Sequence, residues 1–274
     1  MTGQIGFVLL THRNPLQILR LIKSLNRMFD NPKIACHHDF SQCSFSIDLI
    51  PENVLFVRPH FNTTWGHFSL VDAMLAALRL LYSDNDQPDR FVLLSGQCYP
   101  IKNADTIISA LKQGNFDAQI GYYPIVENKL ESTWQEKCFL RYCAQSPFYP
   151  FSDSFECFAG EHWFSGNHVA ANALLRFHSA SPALAEHYRF LGRDRAITPA
   201  ESYYQTILCN DPKLKILNDD LRYIDWPEGS WHPKTLTLDD SEELFSSHAL
   251  FARKFELDES RPLLDEIDNR LFNG

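Results

Sequence analysis

The run Ile5-Gly6-Phe7-Val8-Leu9-Leu10, followed at once by Thr11-His12-Arg13-Asn14-Pro15, decides the fold class. Six successive residues without a charge read as a strand buried on both faces, as in the middle of a parallel sheet. Asn14-Pro15 then supplies an N-cap and a first-turn proline, and Leu16, Leu19, Ile22 and Leu25 recur at helical spacing to a predicted end near Met28. The alternation continues downstream. Residues 33–38 and 53–57 are the next strands, a helix is predicted over 66–82 with Val71, Leu75, Leu78 and Tyr82 on one face, and 90–94 is another buried strand. Strands joined by helical crossovers predict an α/β fold, a Rossmann-like, mainly parallel sheet flanked by helices.

In open sheets of this type ligands bind beyond the carboxyl ends of the strands. The residues there are Thr11-His12-Arg13, His37-His38-Asp39, Asn62-Thr63-Thr64-Trp65 and Ser95-Gly96-Gln97-Cys98. Such polar groups suit a nucleotide or a sugar better than an apolar ligand. The second half is less regular. It predicts short strands at 120–124 and 161–165 and a functional loop over 143–158. Helices are predicted at 169–177, at 182–191 behind Ser181, at 199–208 behind Thr198 and at 239–247, with a strand at 221–226. No repeat or linker divides the chain. One domain is expected over 1–274, with a nucleotide-binding half at about 1–125 and an acceptor-binding, catalytic half at about 126–274.

Composition removes several classes of function. Lys plus Arg number 25 against 34 Asp plus Glu, a formal charge of -9, so the basic stripe of a nucleic-acid binder is missing. No apolar run approaches the ~18 residues of a membrane span, and the opening stretch lacks a signal peptide's basic lead and length. The expected location is the cytoplasm, with peripheral contact at the cytoplasmic membrane face left open. Seven cysteines are scattered without a C-x-x-C pair, which argues against a disulfide framework. The acceptor-like Asn62-Thr63-Thr64 is then of no consequence.

Several residues bear chemistry, each with a plainer reading. In Thr198-Pro199-Ala200-Glu201-Ser202-Tyr203-Tyr204, Glu201 is either the second half of a capping box with Thr198 or an ionised carboxylate poised as a general base. Trp231-His232-Pro233-Lys234-Thr235 and Arg253-Lys254 bring cations that are either solvated or gathered on a diphosphate. His12, His37, His38 and Asp39 offer ligands to a metal-dependent hydrolase, although His37 and His38 point to opposite faces of a strand. Asp84-Asn85-Asp86 resembles a metal-holding Asp-x-Asp but precedes its strand, as a solvated loop would. Cys98 reads as a buried thiol before a nucleophile. The five tryptophans default to packing, with sugar stacking as the alternative.

Eight ordered blocks carry a resemblance across nearly the whole chain. They are Ala35-Cys36-His37-His38-Asp39, Trp65-Gly66, Leu93-Leu94-Ser95-Gly96-Gln97-Cys98-Tyr99-Pro100-Ile101, Gly160-Glu161-His162-Trp163-Phe164, Pro199-Ala200-Glu201-Ser202, Leu221-Arg222-Tyr223-Ile224-Asp225-Trp226, His232-Pro233-Lys234-Thr235-Leu236 and Ala249-Leu250-Phe251-Ala252-Arg253-Lys254-Phe255. Together they resemble the core-2/I-branching N-acetylglucosaminyltransferase family, which includes the peptide O-xylosyltransferases. The resemblance implies a type A glycosyltransferase fold and an inverting transfer from a UDP-sugar to a glycan or polysaccharide hydroxyl, with no metal and no other cofactor. N-acetylglucosamine and xylose are the implied donor sugars.

The resemblance also implies roles. Glu201 becomes the catalytic base. Lys254 and Lys234 hold the diphosphate, and the strand-end residues Thr11, His12, Asp39, Ser95 and Gly96, together with Arg253, are the candidates for the rest of the nucleotide-sugar site. Trp226, Trp163 and Glu131 fall to the acceptor. Cys98 departs from the pattern, standing where the family has aspartate in its Ser-Gly-x-Asp-x-Pro turn. The absence of an anchor resembles a bacterial-type member. A metal-dependent hydrolase and a non-catalytic sugar-binding relative stand as the alternatives.

Overall fold

The computed structural model describes residues 4–46, 49–127, 130, 132–230 and 232–273. Strand β1 (Ile5–Thr11) is buried along all seven residues, because it sits inside the main sheet with strands on both sides. On one side it pairs in parallel with β2 (Ile34–His38), which pairs in parallel with β3 (Val54–Phe56). On the other it pairs in parallel with β4 (Arg90–Ser95). Beyond β4 the sheet continues through β9 (Ser165–Asn167), β6 (Ala118–Gln119) and β10 (Ile216–Leu217), with β9 antiparallel to both neighbours. A second sheet joins β11 (Arg222–Ile224), β12 (Phe251–Arg253) and β5 (Tyr99–Pro100), and a third pairs β7 (Tyr122–Pro124) with β8 (Phe158–Gly160). The α/β class with a mainly parallel sheet is therefore as the sequence predicts.

Helices α1 (Pro15–Phe29) and α2 (Ser69–Leu81) are the crossovers. The row that α1 buries is Ile18, Leu21, Ile22 and Leu25, whereas Leu16 at its start is 71% exposed, so the predicted face is rotated. Asn14 does not cap α1 with its side chain, nor does Ser181 cap its helix. Asn14 is left-handed at φ 54°, and its amide reaches Glu256 instead, at 3.2 Å. The predicted strand over 161–165 is instead the connection between β8 and β9, only Ser165 belonging to a strand. Gly160 approaches Gly121 so closely that a Cβ there would lie 1.9 Å from the Gly121 carbonyl, and the chain leaves β8 immediately afterwards.

Helices α5 (His168–Ala180) and α6 (Pro182–Leu191) lie close to their predicted places, while α3 (Ala104–Lys112) and α4 (Thr133–Tyr142) were not foreseen. The predicted helix over 199–208 is a 3-10 turn (Pro199–Glu201) followed by α7 (Tyr203–Cys209), and that over 239–247 is a 3-10 turn (Leu238–Asp240) followed by α8 (Ser241–Ser246). An unforeseen α9 (Leu257–Phe272) lies against α1 through Arg20, which bonds Asp268 at 2.6 Å. Buried apolar residues from Ile5 to Ile267 form one contiguous core. The β9 strand, from the second half of the sequence, lies inside the main sheet next to β4.

Candidate active site

A cavity of about 450 Å³ opens beyond the carboxyl ends of β1 and β4. Thr11, His12, Arg13, His37, Ser95 and Gln97 line it, all from strand ends that the sequence singled out or the residues beside them. Glu161, Trp163, Glu201, Arg253 and Lys254 line it as well, with Lys254 and Arg13 meeting at Glu256. Trp65 and Trp226, 58% and 45% exposed, also border the cavity, with Trp65 set edge-on against His232 at 5.8 Å.

Glu201 is placed by Gly66. Gly66 has φ +75°, and a Cβ there would lie 2.5 Å from Ala196, so only glycine fits. Its carbonyl accepts from the amides of Ile197 and Thr198, both at 2.9 Å. The Thr198 amide is therefore engaged, and the capping-box reading fails. Thr198, at φ 45°, donates its hydroxyl to Glu201 Oε2 at 2.9 Å and receives Arg141 Nη1 at 2.9 Å. Arg141 also stands 3.6 Å from that carboxylate oxygen. Burial pushes the Glu201 carboxyl above its ordinary value, while Thr198 and Arg141 pull it back.

Glu161 lies in the segment between β8 and β9. Burial pushes its carboxyl up to about 7, with the charges of Glu201 and Asp220 adding to the rise and Arg253 opposing it. Next to it, His162 is driven down to about 3 by burial and by Arg253. The Arg253 guanidinium lies 4.7 Å from the centre of the Trp163 ring. Lys254 follows through a cis peptide bond, and its ammonium stands 3.4 Å from Glu256, which also receives Arg13, Asn14 and Gln97.

Not every expected residue reaches the cavity. Lys234 stands outside the lining, because its ammonium is bonded to Asp240 and lies 3.8 Å from Asp225. Gly96 is also outside, its carbonyl accepting Gln17 Nε2 at 2.9 Å beneath the site. Asp39 is buried off the cavity. Burial pushes its carboxyl up, but donors from Ser41, Thr63 and Gln42 outweigh that and hold it well below the usual carboxylate range. Trp163 is buried at 6% exposure, so unlike Trp226 it offers no open ring to an acceptor. Glu131 lies outside the described residues.

Of the ligand set of the hydrolase reading, His37, His38 and Asp39 are already engaged, whereas His12 lines the cavity. His38 bonds Thr11 Oγ1 at 2.9 Å and the Cys43 carbonyl at 2.7 Å, and His37 Nε2 accepts the Phe61 amide at 2.9 Å. Among the described residues no three His, Cys, Asp or Glu side chains gather as metal ligands. Asp84 of the Asp-x-Asp pairs with Lys33 at 2.7 Å, just before the amino end of β4 and away from the cavity. Cys98 is buried and accepts the Ser95 amide at 3.3 Å. Arg141 was missed, since nothing in the sequence of α4 marks it. Glu161 went unassigned although a signal existed, an acid set among Ala159, Gly160, Trp163 and Phe164.

The family model described as Core-2/I-Branching enzyme matches residues 5–247. The chain is similar to the beta-glucuronosyltransferase GlcAT14B of Arabidopsis thaliana, 26% identical over 241 residues that make up 79% of this chain and 51% of the relative. It is also similar to GlcAT14A of the same plant, 39% identical over 80 residues, 28% of this chain and 17% of the relative. The chain thus spans about half the length, or less, of these curated relatives. Two solved structures of the galactosyltransferase LgtC, one with donor and acceptor sugar analogues and one of an active-site mutant, align over 97% of this chain and 96% of theirs. Their identities are 12% and 13% and their TM-scores 0.42 and 0.48. Among the described residues no helix is long and apolar enough to cross a membrane.

Proposed function

Because the chain belongs to the Core-2/I-Branching enzyme family, a family of glycosyltransferases, we propose that it moves a sugar from a UDP-sugar to a glycan hydroxyl, with inversion and without a metal ion. One observation carries this reading: Glu201, Arg253 and Lys254 line a single cavity at the carboxyl end of a parallel sheet. The acceptor hydroxyl attacks the anomeric carbon from the face opposite the diphosphate, and Glu201 takes its proton as the new bond forms. As the old glycosidic bond breaks, negative charge develops on the departing UDP. Arg253, Lys254 and Arg13 are fixed cations that stabilise it there, a task for which other enzymes use a divalent ion. The open rings of Trp65 and Trp226 suit the faces of an acceptor's pyranose units. The resemblance points to N-acetylglucosamine or xylose as the donor sugar, and the names of the curated relatives add glucuronic acid.

The test is Glu201→Gln in a transfer assay with chelator present. The variant is expected to lose about 10²- to 10⁴-fold in kcat while UDP binds as before. In the wild type the base must be ionised, so the rate falls as pH drops through the Glu201 pKa. Burial sets that acid limb above the ordinary carboxylate range. Undiminished turnover of the variant removes Glu201 from the mechanism, and an activity that chelator abolishes and manganese restores overturns metal independence. Binding of UDP-sugars with neither transfer nor slow hydrolysis would favour the non-catalytic relative.

A further inference from the structure

The segment Glu161–Ser165 gathers an unusual set of groups. His162 Nε2, Tyr204 Oη, Gln205 Oε1, Arg222 Nε and Arg253 Nε are buried without a hydrogen-bond partner among the described residues. Each of these side chains packs on that segment. Tyr204 faces His162 and Phe164 at 6.0 and 5.3 Å, Gln205 donates to the Glu161 carbonyl at 2.7 Å, Arg222 donates to the Phe164 carbonyl at 3.2 Å, and Arg253 covers Trp163. Glu161 is thereby held from both directions. Its carbonyl is tied to α7, the helix that follows Glu201, and its neighbour Trp163 lies under Arg253. Glu161 lines the cavity, and its carboxyl group has no hydrogen bond to another described side chain.

On the transferase reading, which this inference rests on, the transferred sugar must lie between the diphosphate held by Arg253 and Lys254 and the base Glu201. Glu161 borders that interval. With the cations taken up by the diphosphate, the sugar meets two carboxyl groups, Glu161 and Glu201, and no further cation from this segment. We propose that Glu161 is a specificity-determining residue that selects an uncharged donor sugar, accepting hydrogen bonds from its hydroxyls and repelling a sugar that carries a carboxylate. Hydroxyl groups give a buried carboxylate the donors it lacks, whereas a uronate would place a third negative charge beside two existing ones.

Isothermal titration of the whole protein with UDP, UDP-glucose and UDP-glucuronic acid tests this, in the wild type, in Glu161→Gln and in Glu161→Ala. At pH 8 the wild type is expected to bind UDP-glucose at least about tenfold more tightly than UDP-glucuronic acid. Both variants should reduce that ratio about tenfold while UDP affinity stays within about twofold. Lowering the pH to 6 protonates Glu161 and narrows the wild-type ratio. Glu201, Asp220 and Arg253 also face Glu161, so the same change in Glu161→Gln measures their share. An unchanged ratio in both variants, or a wild type that prefers the uronate, overturns the inference and leaves the transferase reading standing. No binding of UDP or of any UDP-sugar overturns the transferase reading itself, and the inference with it.

Discussion

Past the carboxyl end of β2, off the cavity, Asp39 accepts from the amide and hydroxyl of Ser41, the amide and hydroxyl of Thr63 and the side-chain amide of Gln42. His37 and His38 are bonded beside it. Around the Glu161–Ser165 segment, five buried polar atoms have no partner among the described residues. Both clusters are polar and both carry histidine and acid. The first is complete without a ligand, and its side chains fix the loop that carries Thr63 and Trp65. The second leaves hydrogen-bonding capacity open in a setting where an unpartnered buried group costs about 1–3 kcal/mol, and of its five residues His162 and Arg253 line the cavity. A polar cluster at a strand end is therefore not by itself a site. The difference lies in which groups are already satisfied.

The largest effect that would sharpen this contrast is on stability. Asp39→Ala leaves several donors around Thr63 and Gln42 without an acceptor and is expected to cost about 3 kcal/mol in urea unfolding. Because the folded carboxyl is held well below its usual value, its contribution is present above the unfolded pKa of about 4 and is lost as pH falls through the folded value. The gap between wild type and variant should thus shrink in acid. A variant as stable as the wild type at pH 7 would make the two clusters equivalent.

A smaller effect is expected on the binding wall, and in a different observable. Lys254→Ala removes a cation from the cavity but leaves Glu256 with Arg13, Asn14 and Gln97. UDP affinity should fall about tenfold, with stability within about 0.5 kcal/mol of wild type. The reverse outcome, lost stability with unchanged UDP affinity, would assign Lys254 to the scaffold.

His37-His38-Asp39 concentrates ligand types in three residues, so the sequence offers it to a metal as one alternative and Asp39 to the nucleotide sugar. Which hydrogen bonds those side chains make depends on Thr63, Phe61 and Cys43, which no pattern in the sequence ties to them. The β1–α1 unit was legible because continuous burial and helical spacing are local properties. Glu201 was legible as a residue but not as a geometry. Its hydroxyl donor is three positions back, while Arg141, sixty positions away, and Gly66 are brought to it by the fold alone. Lys234 misled because a lysine in the right block carries no record of the Asp240 that holds it. Helix α9 was hidden by Pro262 and its many acids, which lower the periodic signal without preventing packing against α1.

The smallest expected effect separates satisfied from unsatisfied groups within one helix. Tyr203 and Tyr204 are adjacent on α7 and both wholly buried. Tyr203 Oη is bonded to His178 Nδ1 at 2.8 Å, whereas Tyr204 Oη has no partner among the described residues. Removing a hydroxyl from a bonded pair leaves the histidine nitrogen stranded, so Tyr203→Phe should cost about 1 kcal/mol. Tyr204→Phe strands nothing and relieves the burial of an unpaired hydroxyl, so its stability should lie within about 0.5 kcal/mol of wild type or above it. Chemical denaturation of both variants at one pH measures the difference. Equal losses would mean that Tyr204 has a partner of its own and that the cluster around Glu161 is as complete as the one around Asp39. A loss confined to Tyr203 would mean that the unpartnered hydroxyl of Tyr204, packed behind Glu161, is a property of the folded protein.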